Sequence, residues 1–261
     1  MLELLALEDQ IDVVIPRGSK QLVDAIKSNT KIPVLGDADG VCHVYIHSDA
    51  DLEMAIDIVA DSKVDNRGVG SAMGALLVHA KLWEGDAVDR LIQPLLDSGV
   101  VVYCGPRAHA MYKHRTAGMP PCKNMHQEYR FAACVVEVVD DVKGAVEHIR
   151  EYGSGHTEVI VTEDQQAATT FLREVDSSCV FHNASSRFSD GYSFGLGAEV
   201  GHSNKGHMRG PMGIEGLLSN KWILRGKGHA LRDFQSRGGQ EASLQFVHEK
   251  KCVTCGLQIR E

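Results

Sequence analysis

The chain has 261 residues, of which 43% are hydrophobic and 24% charged, a balance that suits one large or two smaller globular domains. Its formal net charge of −8 argues against a general nucleic-acid binder and against docking on an anionic membrane. No apolar run approaches the roughly 18–20 residues of a membrane span.

In chain order, Ile11–Ile15 (IDVVI) reads as a strand, and Pro16-Arg17-Gly18-Ser19 as a turn. Lys20–Ser28 then reads as a helix with Ser19 as its N-cap. Ile32–Leu35 and His43–Ile46 are two more short strands. Asp49–Ser62 carries Leu52, Met54, Ala55, Ile58 and Val59 at helical spacing. Leu76–His79 is strand-like, and Ala87–Asp97 is a helix with a kink expected at Pro94. Val100–Tyr103 is a strand. Residues 105–127 hold Pro106, Pro120 and Pro121 and read as a loop or insertion. Cys134–Val139, Val159–Thr162 and Val180–His182 follow as strands, with helices at Val142–Glu151 and Gln165–Glu174 between them. This alternation predicts an α/β fold with helices packed on a largely parallel sheet.

Phe181–Gly226 holds nine glycines in 46 residues, too many for an ordinary helix or strand. It also carries Asn183, Ser185, Ser186, Arg187 and Asp190, which suit either a polar site or a surface loop. There is no GxGxxG, so a complete dinucleotide-binding unit is not evident. Seven irregularly spaced cysteines read as reduced thiols of a cytoplasmic protein. The N-terminus lacks the basic region of a secretory signal; a mitochondrial location stays open if further sequence precedes it. Cys252-Val253-Thr254-Cys255 is a lone CxxC with only His248 near it. That is too few ligands for zinc, so no metal is expected. The polar stretch from His229 onward reads as a peripheral tail.

Seven ordered segments carry a resemblance. They are IDVVIPRGS at 11–19, IPVLGDADGVCHVYI at 32–46, EVVDD at 137–141, YGSGHTEVIVTED at 152–164, FHNASSRFSDG at 181–191, FGLGAEVG at 194–201 and RGPMGIEGLLSNKWILRG at 209–226. In these the chain resembles glutamate-5-semialdehyde dehydrogenase, or γ-glutamyl phosphate reductase, a branch of the aldehyde dehydrogenase superfamily. The resemblance is close to the dehydrogenase half of Δ1-pyrroline-5-carboxylate synthase. It implies an aldehyde dehydrogenase-like three-layer α/β fold, of which this chain covers the C-terminal part with an incomplete cofactor-binding domain. The implied division is a cofactor-domain remnant over 1–48, a catalytic domain over 49–215, an oligomerisation strand region over 216–228 and the tail over 229–261. The implied reaction reduces γ-glutamyl phosphate to glutamate semialdehyde with NADPH in proline biosynthesis. A cysteine thiolate forms a thioester that accepts hydride.

The position matching that cysteine is Gly70, followed by Ser71. Glycine carries no nucleophile, and no cysteine lies between Cys42 and Cys104. Cys42 is read as a core thiol in preference to a substitute nucleophile. The resemblance places Asn183 and Arg187 in substrate binding, the arginine fork suiting a carboxylate or phosphate; a structural salt bridge is the alternative for Arg187. It places Arg17, Gly18 and Ser19 at a phosphate-binding helix N-terminus, or in a simple capped turn. Glu128 matches a glutamate near the nicotinamide ribose, or is a solvated loop residue. His156 is read as a structural histidine in preference to a pocket one. His207 and Arg209 match a histidine and arginine of the family beside a loop one residue shorter here. Lys221–Arg225 (KWILR) matches the strand that joins a neighbouring subunit. The chain is thus expected to be a reductase of doubtful activity or an inactive partner of complete subunits, and in either case an oligomer.

Overall fold

The structure is a computed structural model that describes residues 2–36, 39–65, 68–129, 131–204, 209–236, 244–247, 250–251 and 258–259. The chain divides into two compact units, Met1–Leu218 and Ser219–Glu261.

The first unit is built on a six-stranded sheet in the order β3-β4-β2-β1-β5-β6, every neighbouring pair parallel. The strands are β1 (Cys42–Ile46), β2 (Met73–His79), β3 (Val101–Cys104), β4 (Ala133–Val139), β5 (Thr157–Val161) and β6 (Cys179–His182). The four inner strands are buried throughout, as expected of parallel strands covered on both faces. Before the sheet come α1 (Leu2–Leu5) and α2 (Lys20–Ser28). On one face lie α3 (Leu52–Val64) and α4 (Ala87–Asp97), closing a core of Val44, Ile46, Leu76, Val78, Leu91 and Leu95. The other face is covered by α7 (Val142–Tyr152) and α8 (Gln165–Glu174), with Tyr45, Leu77, Ile160 and Phe171 between. Alternate residues of one strand therefore feed opposite cores, as the period of two requires.

Acidic N-caps set the helix starts. Asp51, Asp141 and Asp164 accept hydrogen bonds from the first-turn amides of α3, α7 and α8, and Ser19 does the same for α2. Pro94 sits inside α4, which runs unbroken from Ala87 to Asp97.

Three expectations need correction. Ile11–Ile15 and Ile32–Leu35 do not form strands. They share one parallel bridge, Val14 to Val34, closed by Val14 N–H to Pro33 O and Leu35 N–H to Val14 O, both 2.9 Å. Pro16 and Pro33 have no N–H to extend a ladder. Residues 105–127 are more regular than a loop: they hold α5 (Pro106–Met111), with proline at its favoured first position, and α6 (Lys113–Thr116). The glycine-rich stretch contains an antiparallel pair, β7 (Gly201–Ser203) and β8 (Gly210–Met212). Lys221–Arg225, expected to pair with a neighbouring subunit, leaves Trp222 and Leu224 95% and 92% exposed in the single chain. In the second unit the short β9 (Lys250–Lys251) and β10 (Gln258–Ile259) pair antiparallel. The CxxC at 252–255 and His207 lie outside the described residues.

No helix among the described residues is long and apolar enough to cross a membrane. No group of three or more His, Cys, Asp or Glu among them is arranged to hold a metal ion.

Candidate active site

A cavity of about 600 Å³ opens at the amino ends of the strands, lined in part by Arg17, Gly18, Gly70, Glu128, His156 and Arg187. Its floor is made of short connections. Gly40 precedes β1, Gly70 and Ser71 precede β2, and His156 precedes β5. Glycine is required at position 40, because a methyl group there would overlap the Gly70 carbonyl oxygen. Beneath them the Cys42 thiol donates to the same Gly70 carbonyl at 3.1 Å. Cys42 is fully buried and is not a cavity wall. Burial, with a contribution from nearby Glu158, raises its pKa well above the ordinary thiol value. It stays protonated, as the core reading expects, and a protonated thiol is a poor nucleophile.

Arg187 reaches the cavity from the segment after β6. That segment is clamped at three points: Ser185 Oγ lies 3.2 Å from Ser62 Oγ of α3, Ser186 N–H donates to Ser62 Oγ at 3.2 Å, and Ser186 Oγ donates to the Ser71 carbonyl at 2.6 Å. The Arg187 guanidinium donates to Ser71 Oγ through Nη1 and lies 3.4 Å from the exposed Asp65 carboxylate through Nε. Arg187 therefore makes the loose ion pair of the structural reading and also lines the cavity. Arg17 also lines the cavity, exposed and against Gly201, and makes no ion pair among the described residues. Gly18 lines the cavity, and Ser19 caps α2 with its side chain (Leu22 N–H to Ser19 Oγ, 3.4 Å). Glu128 is half-buried in the wall.

Asn183 is not a wall of the cavity. It ends β6 at the carboxyl edge of the sheet with φ 52°. Its Oδ1 accepts from Thr162 N–H and its Nδ2 donates to Thr162 O, both at 3.0 Å. The amide continues the β5–β6 ladder past the last strand residue. Arg209 is likewise elsewhere, ion-paired with Asp176 at 2.7 Å.

Sequence reasoning undervalued His156 and did not single out His202. The two imidazoles line the cavity stacked, with centroids 3.7 Å apart and planes 7° apart. His156 Nδ1 lies 2.8 Å from Thr157 Oγ1. Burial, with the neighbouring His202, lowers its pKa to about 3, so it is neutral at physiological pH. A methyl group on Gly70 would come within 3.1 Å of His156 Nε2, which therefore faces position 70. The available signal was the GSGHTE segment itself, a histidine just ahead of a buried strand.

No family model matches the chain. It is 54% identical over 230 residues to Δ1-pyrroline-5-carboxylate synthase B of Arabidopsis thaliana, covering 88% of this chain and 31% of that one. It is 44% identical over 248 residues to a γ-glutamyl phosphate reductase of Natronomonas pharaonis, covering 95% of this chain and 55% of the relative. Its structure matches the crystal structure of γ-glutamyl phosphate reductase from Thermotoga maritima with a TM-score of 0.82 at 34% identity, over 88% of this chain and 55% of that one. The chain is a homologue of the γ-glutamyl phosphate reductases. An acetylating aldehyde dehydrogenase from Geobacillus thermoglucosidasius, 18% identical with a TM-score of 0.63, shares the fold. This reductase homologue spans about a third of the plant synthase and about half of the reductases.

Proposed function

We propose that this homologue binds an acyl phosphate of the γ-glutamyl phosphate class in the amino-edge cavity and does not carry out thioester reduction. The observation that carries this reading is that Arg17 and Arg187 line one cavity together with Gly70. Two guanidiniums suit the carboxylate and phosphate ends of such a substrate. Four carboxylates, of Asp39, Glu128, Asp190 and Glu199, share the wall. Two of them have backbone partners nearby. Glu199 accepts from Gly191 N–H at 2.9 Å, and Asp190 from Tyr192 N–H at 3.1 Å.

Gly70 supplies no sulfur, and Cys42 beneath it is buried and protonated. A nicotinamide cofactor is plausible from the relatives. NADPH would be held by Gly18, just before α2, and by Glu128, and it would supply hydride when bound. The deciding assay is NADPH oxidation with γ-glutamyl phosphate, before and after Gly70→Cys. Wild type is expected to be silent and the variant to turn over. Turnover by wild type, abolished by Cys42→Ala, would overturn the reading.

A second reading rests on Lys221–Arg225, whose exposed Trp222, Ile223 and Leu224 present an unpaired apolar stretch. It makes the chain an oligomerising partner of its own copies or of complete subunits. Light scattering tests it: a strict monomer, alone and mixed with a complete reductase, would count against it.

A further inference from the structure

We infer that the cavity hydrolyses the acyl phosphate it binds, with a water held between Gly70 and His156 as the nucleophile. This rests on the acyl-phosphate reading above and adds an activity to it. Any side chain at position 70 would cover His156 Nε2, since even a methyl group would sit 3.1 Å from it. Glycine leaves that nitrogen open to the cavity. The ring is fixed on its other side. Nδ1 lies 2.8 Å from Thr157 Oγ1, a hydroxyl whose lone pairs can accept the Nδ1 proton. In the tautomer that donates from Nδ1 to this hydroxyl, Nε2 carries the free lone pair the step needs. Stacking on His202 blocks rotation of the ring.

In the step, the water oxygen bonds to the acyl carbon as its proton passes to His156 Nε2. The bond between the acyl carbon and the bridging phosphate oxygen breaks, and phosphate leaves with the electron pair. The imidazolium then returns its proton to the phosphate or to solvent. Nothing is oxidised or reduced. Burial makes His156 a weak base, so its contribution falls at the low end of the usual 10²–10⁴-fold for general-base catalysis, about 10²-fold. A mixed anhydride is activated enough for a well-placed water to suffice.

The test uses acetyl phosphate as the probe for turnover and inorganic phosphate, by calorimetry, for binding, on the full chain. Wild type should release phosphate faster than buffer alone. His156→Asn and Gly70→Ala should each cut the release about a hundredfold while phosphate is still bound. The alanine variant keeps His156 and only covers it, so it answers even where the asparagine variant folds poorly. Equal release by all three proteins, or none above buffer, with phosphate still bound through Arg187, overturns the hydrolysis and leaves the binding reading standing. Absence of phosphate binding overturns both.

Discussion

The two edges of the central sheet are built from similar residues and behave in opposite ways. At the carboxyl edge every polar group named here has a close partner. Tyr45 Oη lies 2.7 Å from His47 Nδ1, Thr162 Oγ1 donates to Asp49 at 2.6 Å, and Asn183 closes both backbone groups of Thr162. At the amino edge glycines replace side chains, and Arg17, Arg187 and His156 face an open cavity. Open α/β sheets usually bind ligands beyond the carboxyl ends of their strands; here the groups named at that end are paired with one another. Five residues, Asn183 to Arg187, cross from one edge to the other. A motif read as a single substrate-binding unit therefore has a structural end and a cavity end.

The largest test of the open edge is Gly40→Ala. The added methyl would overlap the Gly70 carbonyl, and neither backbone has a flexible side chain to move. Overpacking of this kind costs about 3 kcal/mol. Urea denaturation should show that loss, and calorimetry should show phosphate binding abolished. A fully stable variant that still binds phosphate would mean that the close approach of these two loops does not shape the cavity.

Asn183→Ala probes the paired edge. It removes two hydrogen bonds to Thr162 and places alanine at φ 52°. Together these should cost about 2.5 kcal/mol. Phosphate affinity should be unchanged, because Asn183 does not line the cavity. A loss of affinity without a loss of stability would reverse the roles assigned to the two edges.

Acid should act on the open edge through His156. Its folded pKa of about 3 lies below the ordinary 6.5. The unfolded chain therefore binds the proton first, and stability present above pH 6.5 is lost as pH falls toward 3. At pH 5 the loss from this residue is about 2 kcal/mol. His148, with its pKa also lowered to about 3, adds a similar slope from the α7 face. His156→Asn should remove its share of the slope between pH 7 and 5, measured as the urea midpoint against pH. An unchanged slope would show that His156 is already charged in the folded state.

Much of the fold was legible because helix and strand periods are local. Lys20–Ser28, Ala87–Asp97 and Gln165–Glu174 were read with the bounds the structure gives, since caps and amphipathic spacing lie in adjacent residues. Pairing is not local. Ile11–Ile15 looked as strand-like as Val159–Thr162, but only the second has neighbours on both sides. Residues of the site were legible where type and position coincide, as at Arg187 and Gly70. The position of Asn183 at the other edge was not legible, because nothing in NASSR marks where the chain turns back across the sheet. His156 was undervalued because its exposure depends on the bare glycine at position 70, 86 residues earlier in the chain.

Arg187→Lys gives the smallest effect and separates charge from geometry. Lysine keeps the cation but not the planar fork. Arg187 reaches Ser71 through Nη1 and Asp65 through Nε, two directions fixed by one guanidinium. A single ammonium cannot hold both and still present a donor pair to an oxyanion. Phosphate affinity should fall about tenfold, or about 1.4 kcal/mol, with stability within about 0.5 kcal/mol of wild type because the ion pair with Asp65 is solvent-facing. Arg187→Ala should fall further. If lysine binds phosphate as tightly as arginine, Arg187 acts as a diffuse charge at the cavity mouth. Arg17 would then be the group that fixes the ligand, and the paired and open edges would differ in charge alone.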